Sequence, residues 1–263
     1  MATRAIIRSE AIVLRSLEYG ETSQIVTILT QEKGKLTVMA KGARRPNSAF
    51  GASLQPMAYT QVVFYYKPTR SMQMLSESTL MEPMHSIRRS LYKITVGLRI
   101  VELLRALLED EDPQPAVFDL ARQALRRLDT AGERPGNIWP YFQLRLAARL
   151  GFAPAVQREA VEQVTGADGR IDLTSGAVHA ANDTTSAAQR RVTRAALRAY
   201  AIFARADLDA VMRMHLEQPL RREVERLVDA YMRYQFEAAY PTTCSEVISQ
   251  LLDEPASAPP HPS

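Results

Sequence analysis

Cysteine is almost absent from this chain, and Cys244 is the only one. A single thiol excludes both a disulfide within the chain and a zinc site built from several cysteines. The sequence also lacks a run of about 18 apolar residues, so no transmembrane helix is expected. Its N-terminus lacks the apolar segment of a secretory signal. These absences are consistent with a reducing compartment, and we expect a cytoplasmic protein.

Catalytic and metal-binding motifs are also missing. The four histidines are scattered without a second ligand at metal spacing, and none of the glycine-rich phosphate-binding patterns occurs. Cys244 has no histidine near it in sequence, so we expect a buried structural thiol. We expect the acidic run at 109–112 to end a helix and to lie in solvent rather than to hold a metal ion. We therefore expect no enzyme activity, no cofactor and no bound metal.

Acidic residues are lacking from Lys33 to Ser76, a segment that holds seven Lys or Arg. Five of those seven lie between Lys33 and Phe50. Residues 1–82 contain ten basic and six acidic residues, which accounts for the whole net charge of +4, whereas the remainder contains 23 of each. The first third is therefore where we expect a polyanion to bind.

The same first third has the pattern of a small β domain. About five short segments rich in Val, Ile, Thr, Tyr and Met are separated by turn signals. A barrel is favoured because one sheet of this length would leave open edges. Near Pro83 the apolar spacing changes to three and four residues, which indicates helices.

We therefore predict an α+β chain with more than one domain. Residues 1–82 should form the barrel, and residues 83–252 an all-α domain with an irregular insert at about 152–185. Residues 253–263 contain four prolines and should be disordered.

Basic and aromatic residues occur together in the β segment. Clustered positive charge attracts phosphates with release of counterions, and unpaired bases stack on aromatic rings. At least two of the candidate rings must lie in the core, because neighbours on a strand point opposite ways. The alternative to nucleic-acid binding is a structural role, in which the basic residues form a solvated barrel face and the aromatic rings form the core. The candidate phosphate-binding residues are Arg15, Lys33, Lys35, Lys41, Arg44, Arg45, Lys67 and Arg70, and the candidate rings are Phe50, Tyr59, Phe64, Tyr65 and Tyr66.

Several segments resemble the RecO family of bacterial recombination mediators. The N-terminal ones read AIVLRS, YGETSQIVTILT and GKLTVMAKGARRPNS, and LQPM follows at 54–57. Two later segments, ELLRALLEDEDPQPAVFDLARQALRRL and RLAARLGFAP, are similar to the helical region of the family. The resemblance covers nearly the whole chain.

The resemblance implies an OB-fold barrel followed by a helical domain. It implies a nucleoid-associated DNA repair and recombination protein of the RecFOR pathway. Such a protein binds single- and double-stranded DNA and anneals complementary strands. Together with RecR, it helps load RecA onto single strands coated with single-strand-binding protein (SSB), without hydrolysing a nucleotide itself.

The resemblance also implies that the helical domain receives the acidic, Phe-ending tail of SSB. Such a tail needs an apolar slot with an arginine at its mouth. The sequence does not choose among the candidates, which are Arg198, Arg205, Arg213, Arg221 and Arg222.

The insert departs from the family pattern, because many members carry two Cys-x-x-Cys pairs there. Glu159, Glu162 and His179 stand near those positions and no cysteine does. We therefore expect a zinc-ribbon-like insert without zinc. Packing should hold it together, through Phe152, Val156, Ile171, Leu173 and Val178.

Two other functions remain open. In one, the chain is a docking scaffold whose basic barrel binds an acidic protein and has little affinity for DNA. In the other, it is an enzyme acting on nucleic acid. An enzyme of that kind needs carboxylates gathered around a metal, and the basic segment has no acid to supply them.

Overall fold

The structure, a computed structural model, describes residues 5–180 and 188–241. The tail at 253–263, Cys244 and residues 181–185 of the insert lie outside these described residues. Strands occupy most of residues 5–82 and helices dominate residues 85–239, which confirms the α+β prediction. The last barrel strand ends at Glu82 and the first helix begins at His85, and we propose this junction as the domain boundary.

The N-terminal strands close into a barrel in the order β1-β2-β3-β5-β4, which is the strand order of an OB-fold. Neighbouring strands are antiparallel except for β3 and β5, whose parallel pairing closes the barrel. The strands are β1 (Ala5–Tyr19), β2 (Ser23–Thr30), β3 (Gly34–Ala40), β4 (Tyr59–Tyr66) and β5 (Met72–Glu82).

Alternate residues of each strand fill the barrel, as the period of a strand requires. Ala11 and Val13 of β1 point inward, but a bulge between Val13 and Arg15 shifts the alternation. As a result Ile12 and Arg15, three positions apart, both lie on the outer face. The first is covered by the helical domain and the second is exposed.

The helical domain is built in layers on one side of the barrel. Helix α2 packs on β1, α3 on α2, α4 on α3, and α6 and α8 on α4. Because α4 is central, nine of its 12 residues are buried. The helices are α1 (His85–Arg88), α2 (Leu91–Leu107), α3 (Pro115–Thr130), α4 (Ile138–Arg149), α5 (Arg158–Glu162), α6 (Arg194–Arg205), α7 (Leu208–Arg213) and α8 (Gln218–Phe236).

The sequence predicts Asp207 and Asn137 as helix N-caps and Gly151 as a helix stop, and the structure confirms Asp207 and Gly151. The Asp207 carboxylate caps α7 through a 2.7 Å hydrogen bond, and Gly151 ends α4 with a φ of +93°. Asn137 precedes α4, but the prediction that its side chain caps the helix is wrong. Its amide instead donates to the carbonyls of Val211 and Met214, each at 2.9 Å, and ties α4 to the end of α7.

The insert contains a three-stranded antiparallel sheet in the order β7-β6-β8, with β6 (Asp168–Asp172), β7 (Val178–Ala180) and β8 (Gln189–Thr193). Val156, Ile171 and Val178 are buried, as predicted, and Leu173 packs against the same core. Phe152 also packs, but at the surface. It remains 39% exposed and contacts Phe236 edge-on at 4.9 Å.

The barrel and the helical domain share one apolar interface. Ile12, Leu29 and Tyr59 point out of the barrel and are buried in the core of the helical domain. Ion pairs lie at its rim, with Arg126 and Glu82 2.6 Å apart. The apolar side chains are the main stabilising element, because partly exposed ion pairs contribute little.

The turn between β2 and β3 meets the segment after α2 so closely that only glycine fits. Gly34 has a φ of +67°, and a Cβ there would overlap the carbonyl of Asp112. We expect Gly34→Ala to lower the free energy of unfolding by about 3 kcal/mol, from backbone strain and overpacking. Chemical denaturation measures the change.

Gly20→Ala is the matched control. Gly20 has a φ of +58° but nothing lies within 4 Å of its Cβ position. Backbone strain alone should lower the free energy of unfolding by about 1 kcal/mol. Equal losses in the two variants would contradict the close contact at residue 112.

Candidate nucleic-acid interface

The outer surface of the barrel is organised in rows, because residues paired across neighbouring strands point to the same side. One row is covered by the helical domain, and two further rows lie beside it on the β1-β2-β3 surface. The covered row consists of Tyr59, Ile12, Leu29 and Lys35.

The next row, here called the polar row, runs Arg15, Thr27, Thr37 and Met72. Arg15 is exposed and the two threonines are half-buried. The row therefore presents one positive charge and two hydroxyls on the open face of β1, β2 and β3. Hydroxyl and guanidinium groups are suitable donors to phosphate oxygens.

The third row, here called the apolar row, encircles most of the barrel without a polar interruption. All its members point outward, and the two at its ends are the most exposed, Leu17 at 44% and Ile6 at 69%. A continuous apolar surface in water marks a binding site more often than scattered apolar residues do. In order, the row is Leu17, Ile25, Met39, Met74, Tyr65 and Ile6.

One group of candidate basic residues lies at the end of the barrel where β3 stops. The backbone of Arg44 donates to Thr22 at 2.9 Å, and its guanidinium pairs with Glu18 at 2.9 Å. These contacts fix the segment after β3 against the β1–β2 turn. Lys41 and Arg45 on either side are exposed, so they are the residues of this group with charge available to a ligand.

A second group lies at the opposite end, where β4 turns into β5. Gln73 is 2% exposed, and its side chain closes this turn. It accepts from the backbone of Lys67 at 2.9 Å and donates to the Lys67 and Arg70 carbonyls at 3.1 and 2.7 Å. The Lys33 ammonium lies nearby, 5.1 Å from the centroid of the Tyr66 ring. The open face of the barrel thus has basic residues at both ends.

Lys35 differs from the other candidates, because its charge is engaged within the chain. Its ammonium lies 3.2 Å from the Asp110 carboxylate and donates to the Arg105 carbonyl at 3.0 Å. Only 14% of the side chain is exposed. Lys35 therefore holds the two domains together in this structure.

The acidic run at 109–112 follows the end of α2 and its four residues are exposed, as expected, but its backbone also docks onto the barrel. The backbone of Glu111 donates to the Lys35 carbonyl at 2.7 Å, and its carboxylate accepts from the Tyr66 hydroxyl at 2.8 Å. That hydrogen bond raises the pKa of the Tyr66 hydroxyl above its usual value. The run places negative charge beside the basic residues at this end of the face.

The five candidate rings separate as the alternation required, and at least two are in the core. Phe64 is fully buried inside the barrel, and Tyr59 is buried between the domains. Phe50 packs against the barrel core. Tyr65 belongs to the apolar row, and Tyr66 contacts Lys33 and the acidic run.

Two of the five helical-domain candidates come together. Arg198 and Arg205 of α6 line one cavity of about 650 Å³, in which Ile202 is 39% exposed. Arg158 of α5 lines it too, and the sequence had not indicated that residue. The other candidates do not line this cavity; they are Arg213, Arg221 and Arg222.

Among the helices of the described residues, none combines the length and apolar composition that crossing a bilayer requires. Within the same residues, no group of three or more His, Cys, Asp or Glu side chains is placed to hold a metal ion.

Comparisons with known proteins agree with the architecture. The family models described as Recombination protein O N terminal and C terminal match residues 1–84 and 88–243. The DNA repair protein RecO of Salinibacter ruber is 60% identical over 251 residues, which cover 95% of this chain and 96% of that protein. The RecO protein of Chloroherpeton thalassium is 28% identical over 94% of this chain and 99% of its own length. That of Bacillus subtilis is 34% identical over 57% of each chain.

The acidic run gives a prediction about the basic face. Asp110→Asn with Glu111→Gln removes both carboxylates that touch the barrel, and it frees Lys35 and Tyr66. We expect an oligonucleotide to bind about two- to fivefold more tightly, with a salt slope larger by about 0.7, the value for one more phosphate contact. Fluorescence anisotropy across a salt series measures both.

Glu109→Gln with Asp112→Asn is the matched control, because it removes two charges from the same run without touching those contacts. An equal gain in the control would mean that general charge, rather than the docking of the run, limits binding.

Proposed function

Because this chain belongs to the RecO family of DNA repair proteins, we propose that it is a recombination mediator that binds DNA across the open face of the barrel. It binds single and double strands and anneals complementary strands. Together with RecR, it helps load RecA onto SSB-coated single strands in the cytoplasm. The observation that supports DNA binding most directly is the face itself, with basic residues at both ends and the polar and apolar rows between them.

The face separates phosphate contacts from base contacts. Lys41 and Arg45 bind phosphates at one end, and Lys33, Lys67 and Arg70 bind them at the other. Between these ends Arg15, Thr27 and Thr37 follow the backbone of the strand. Phosphate contacts carry most of the affinity and no sequence information, which suits a protein that acts on any strand.

The apolar row gives the face a preference for unpaired bases. Met39 and Met74 lie at its centre, beside Tyr65. Flexible, polarisable methionines adapt to different bases, and tyrosine stacks on any of them. Paired bases present no such surface, so duplex DNA binds through the charged ends alone. Single strands should therefore bind more tightly than duplexes of equal length.

The cavity beside α6 is where we propose that the SSB tail binds. Ile202 provides apolar contact for a terminal Phe side chain, and Arg198 provides charge for its carboxylate. Arg158 is instead paired at 2.8 Å with Glu162, which lines the same cavity. The nearby guanidinium of Arg205 donates to the Val156 carbonyl at 3.1 Å, which positions it at the edge of the cavity. A protein that holds the SSB tail and the strand together brings its annealing surface to coated DNA.

The alternative is a docking scaffold, and the apolar row is the observation that favours it. Methionines and aliphatic side chains also suit a protein partner, and the basic ends would select an acidic one. DNA affinity would then be weak, and the row would serve the partner instead. A mediator should anneal SSB-coated strands, whereas a scaffold should bind SSB without annealing them.

The deciding experiment is annealing of two complementary labelled strands precoated with SSB, without ATP, at two salt concentrations. Lys41→Gln, Arg45→Gln and Arg70→Gln together should slow annealing about tenfold or more and lower the salt slope of binding by about 2, or 0.7 per phosphate. Met39→Ser with Met74→Ser should weaken single-strand binding and leave duplex binding nearly unchanged.

Two variants with matched chemistry serve as controls. Arg89→Gln with Arg149→Gln removes exposed charges of the helical domain, and Leu91→Ser removes a side chain that is 65% exposed on α2. Both should behave like the parent. No annealing by the parent, with SSB still bound, would favour the scaffold.

The peptide site has its own test. Arg198→Glu with Ile202→Ser should weaken binding of a short acidic peptide ending in Phe about tenfold or more, because it inverts the charge and removes the apolar contact. Isothermal calorimetry measures the affinity. Arg213→Glu, at the end of α7 and outside the cavity, should bind like the parent. A loss of peptide affinity in this control instead would mean that the peptide binds outside the cavity.

A further inference from the structure

Helix α2 carries an apolar stripe on its surface, away from the barrel face. Leu91 and Leu98 are 65% and 37% exposed, and Ile94 between them is half-buried. Positions three, four and seven apart lie on one face of a helix, so the stripe is two turns, or about 11 Å, long. Adjoining apolar side chains in water mark a docking surface more often than scattered ones do. Within residues 5–180 and 188–241, this stripe remains open.

The described residues end beside this stripe. Tyr240 is 3% exposed, and its hydroxyl accepts from the Gln143 amide at 2.7 Å. One turn earlier on α4, the Trp139 ring centroid lies 4.3 Å from the guanidinium carbon of Arg99. Because positions four apart on a helix are neighbours, Tyr240 lies close to Arg99, which follows Leu98 on α2. Burial raises the pKa of the Tyr240 hydroxyl, and the nearby charge of Arg99 opposes that rise.

The sequence that follows Tyr240 has the pattern of an amphipathic helix. Residues 242–254 read TTCSEVISQLLDE, and we call residues 243–252 the C-terminal segment. Thr243 followed three positions later by Glu246 is the signature of a capping box. Apolar residues recur at intervals of three, four, seven and eight, the spacing of one helical face. They are Cys244, Val247, Ile248, Leu251 and Leu252.

The length and charge of the segment match the stripe. From Cys244 to Leu251 is seven residues, the same interval as from Leu91 to Leu98. A helix that starts near Leu98 runs antiparallel to α2, and it brings the acidic residues 253 and 254 to the beginning of α2. Arg88 is exposed there, as is the residue after it, and the N-terminus of a helix favours negative charge.

We propose that the C-terminal segment docks as an amphipathic helix on the α2 stripe of the same chain. It covers Leu91 and Leu98 and buries the thiol of Cys244. Docking within one chain is favoured over docking on a second copy, because the short connection from Tyr240 gives the segment a high effective concentration. None of these residues lies on the barrel face, so the proposal does not depend on the proposed function.

The single cysteine provides the test, because the rate at which Ellman's reagent modifies Cys244 reports whether the segment is docked. In the full chain, we expect this rate to be about tenfold or more slower in the native parent than in guanidinium chloride. Leu91→Asp with Leu98→Asp should raise the native rate about tenfold. Val247→Asp with Leu251→Asp should raise it as much, and the two pairs combined should add nothing further.

Two features of this design separate undocking from misfolding. The segment variant changes no residue of α2, so equal rates in the two variants exclude damage to that helix as the cause. Ile6→Asp with Leu17→Asp is the matched control, because these side chains are 69% and 44% exposed but lie on the barrel. The control should keep the thiol rate of the parent.

A disulfide tests the position of the segment. In Leu98→Cys, mild oxidation should join the new thiol to Cys244 within one chain, because a disulfide requires Cα atoms within about 7 Å. Migration on a non-reducing gel detects the closed loop. Leu17→Cys, on the barrel, should form no such bond.

A parent thiol that reacts at the unfolded rate would overturn the proposal. A protected thiol that neither the α2 variant releases nor oxidation links to position 98 would also overturn it, since the segment would then dock elsewhere. Disulfides between two chains, with a thiol rate that depends on protein concentration, would assign the stripe to a second copy and defeat docking within one chain.

Discussion

The parallel pairing of β3 with β5 is the constraint on which the rest of the molecule depends. Without it the five strands would form an open sheet with two unpaired edges. With it, Thr37 lies beside Met72 and Met39 beside Met74, and every outward residue falls into a fixed row. On the β1-β2-β3 surface, one row is buried by the helical domain and two remain for a ligand. The partition of the barrel surface into a structural and a binding part thus follows from register, since a slip by one residue would reverse every side chain.

The helical domain fixes the position of the barrel and also limits the part of the barrel surface that a ligand can reach. Its apolar contact at Ile12 and Leu29 covers the side next to the polar row, and its acidic run reaches round to Lys35 and Tyr66. The same segment that anchors the domains therefore places carboxylates beside one basic end of the face. Domain docking and polyanion binding are coupled by charge at this point, because Glu111 contacts the barrel both through its backbone and through its carboxylate.

The sequence predicted the secondary-structure elements better than the tertiary contacts between them. Local patterns were sufficient for the barrel strands, for the helices and for the basic segment from Lys33 to Phe50. They could not show that Lys35 faces Asp110, 75 positions away, because that contact depends on how two domains dock. The hairpin registers of β1 with β2 and of β2 with β3 could have indicated Leu17, Ile25 and Met39 as one row, because Leu17 and Ile25 lie between the turn and the bulge in β1. The continuation to Met74 required the parallel pairing, which no local signal carries.

The insert is held to the helical domain by packing. Gly169 lets β6 approach α6, since a Cβ there would lie 2.7 Å from the Leu197 side chain and 3.0 Å from the His179 carbonyl. Val156 and Ile171 are buried beneath the sheet, in the same core as α6 and α8. This packing holds the strands of the insert to the helices. The insert is thereby made part of the domain surface, and the edge strand β8 is fixed beside α8.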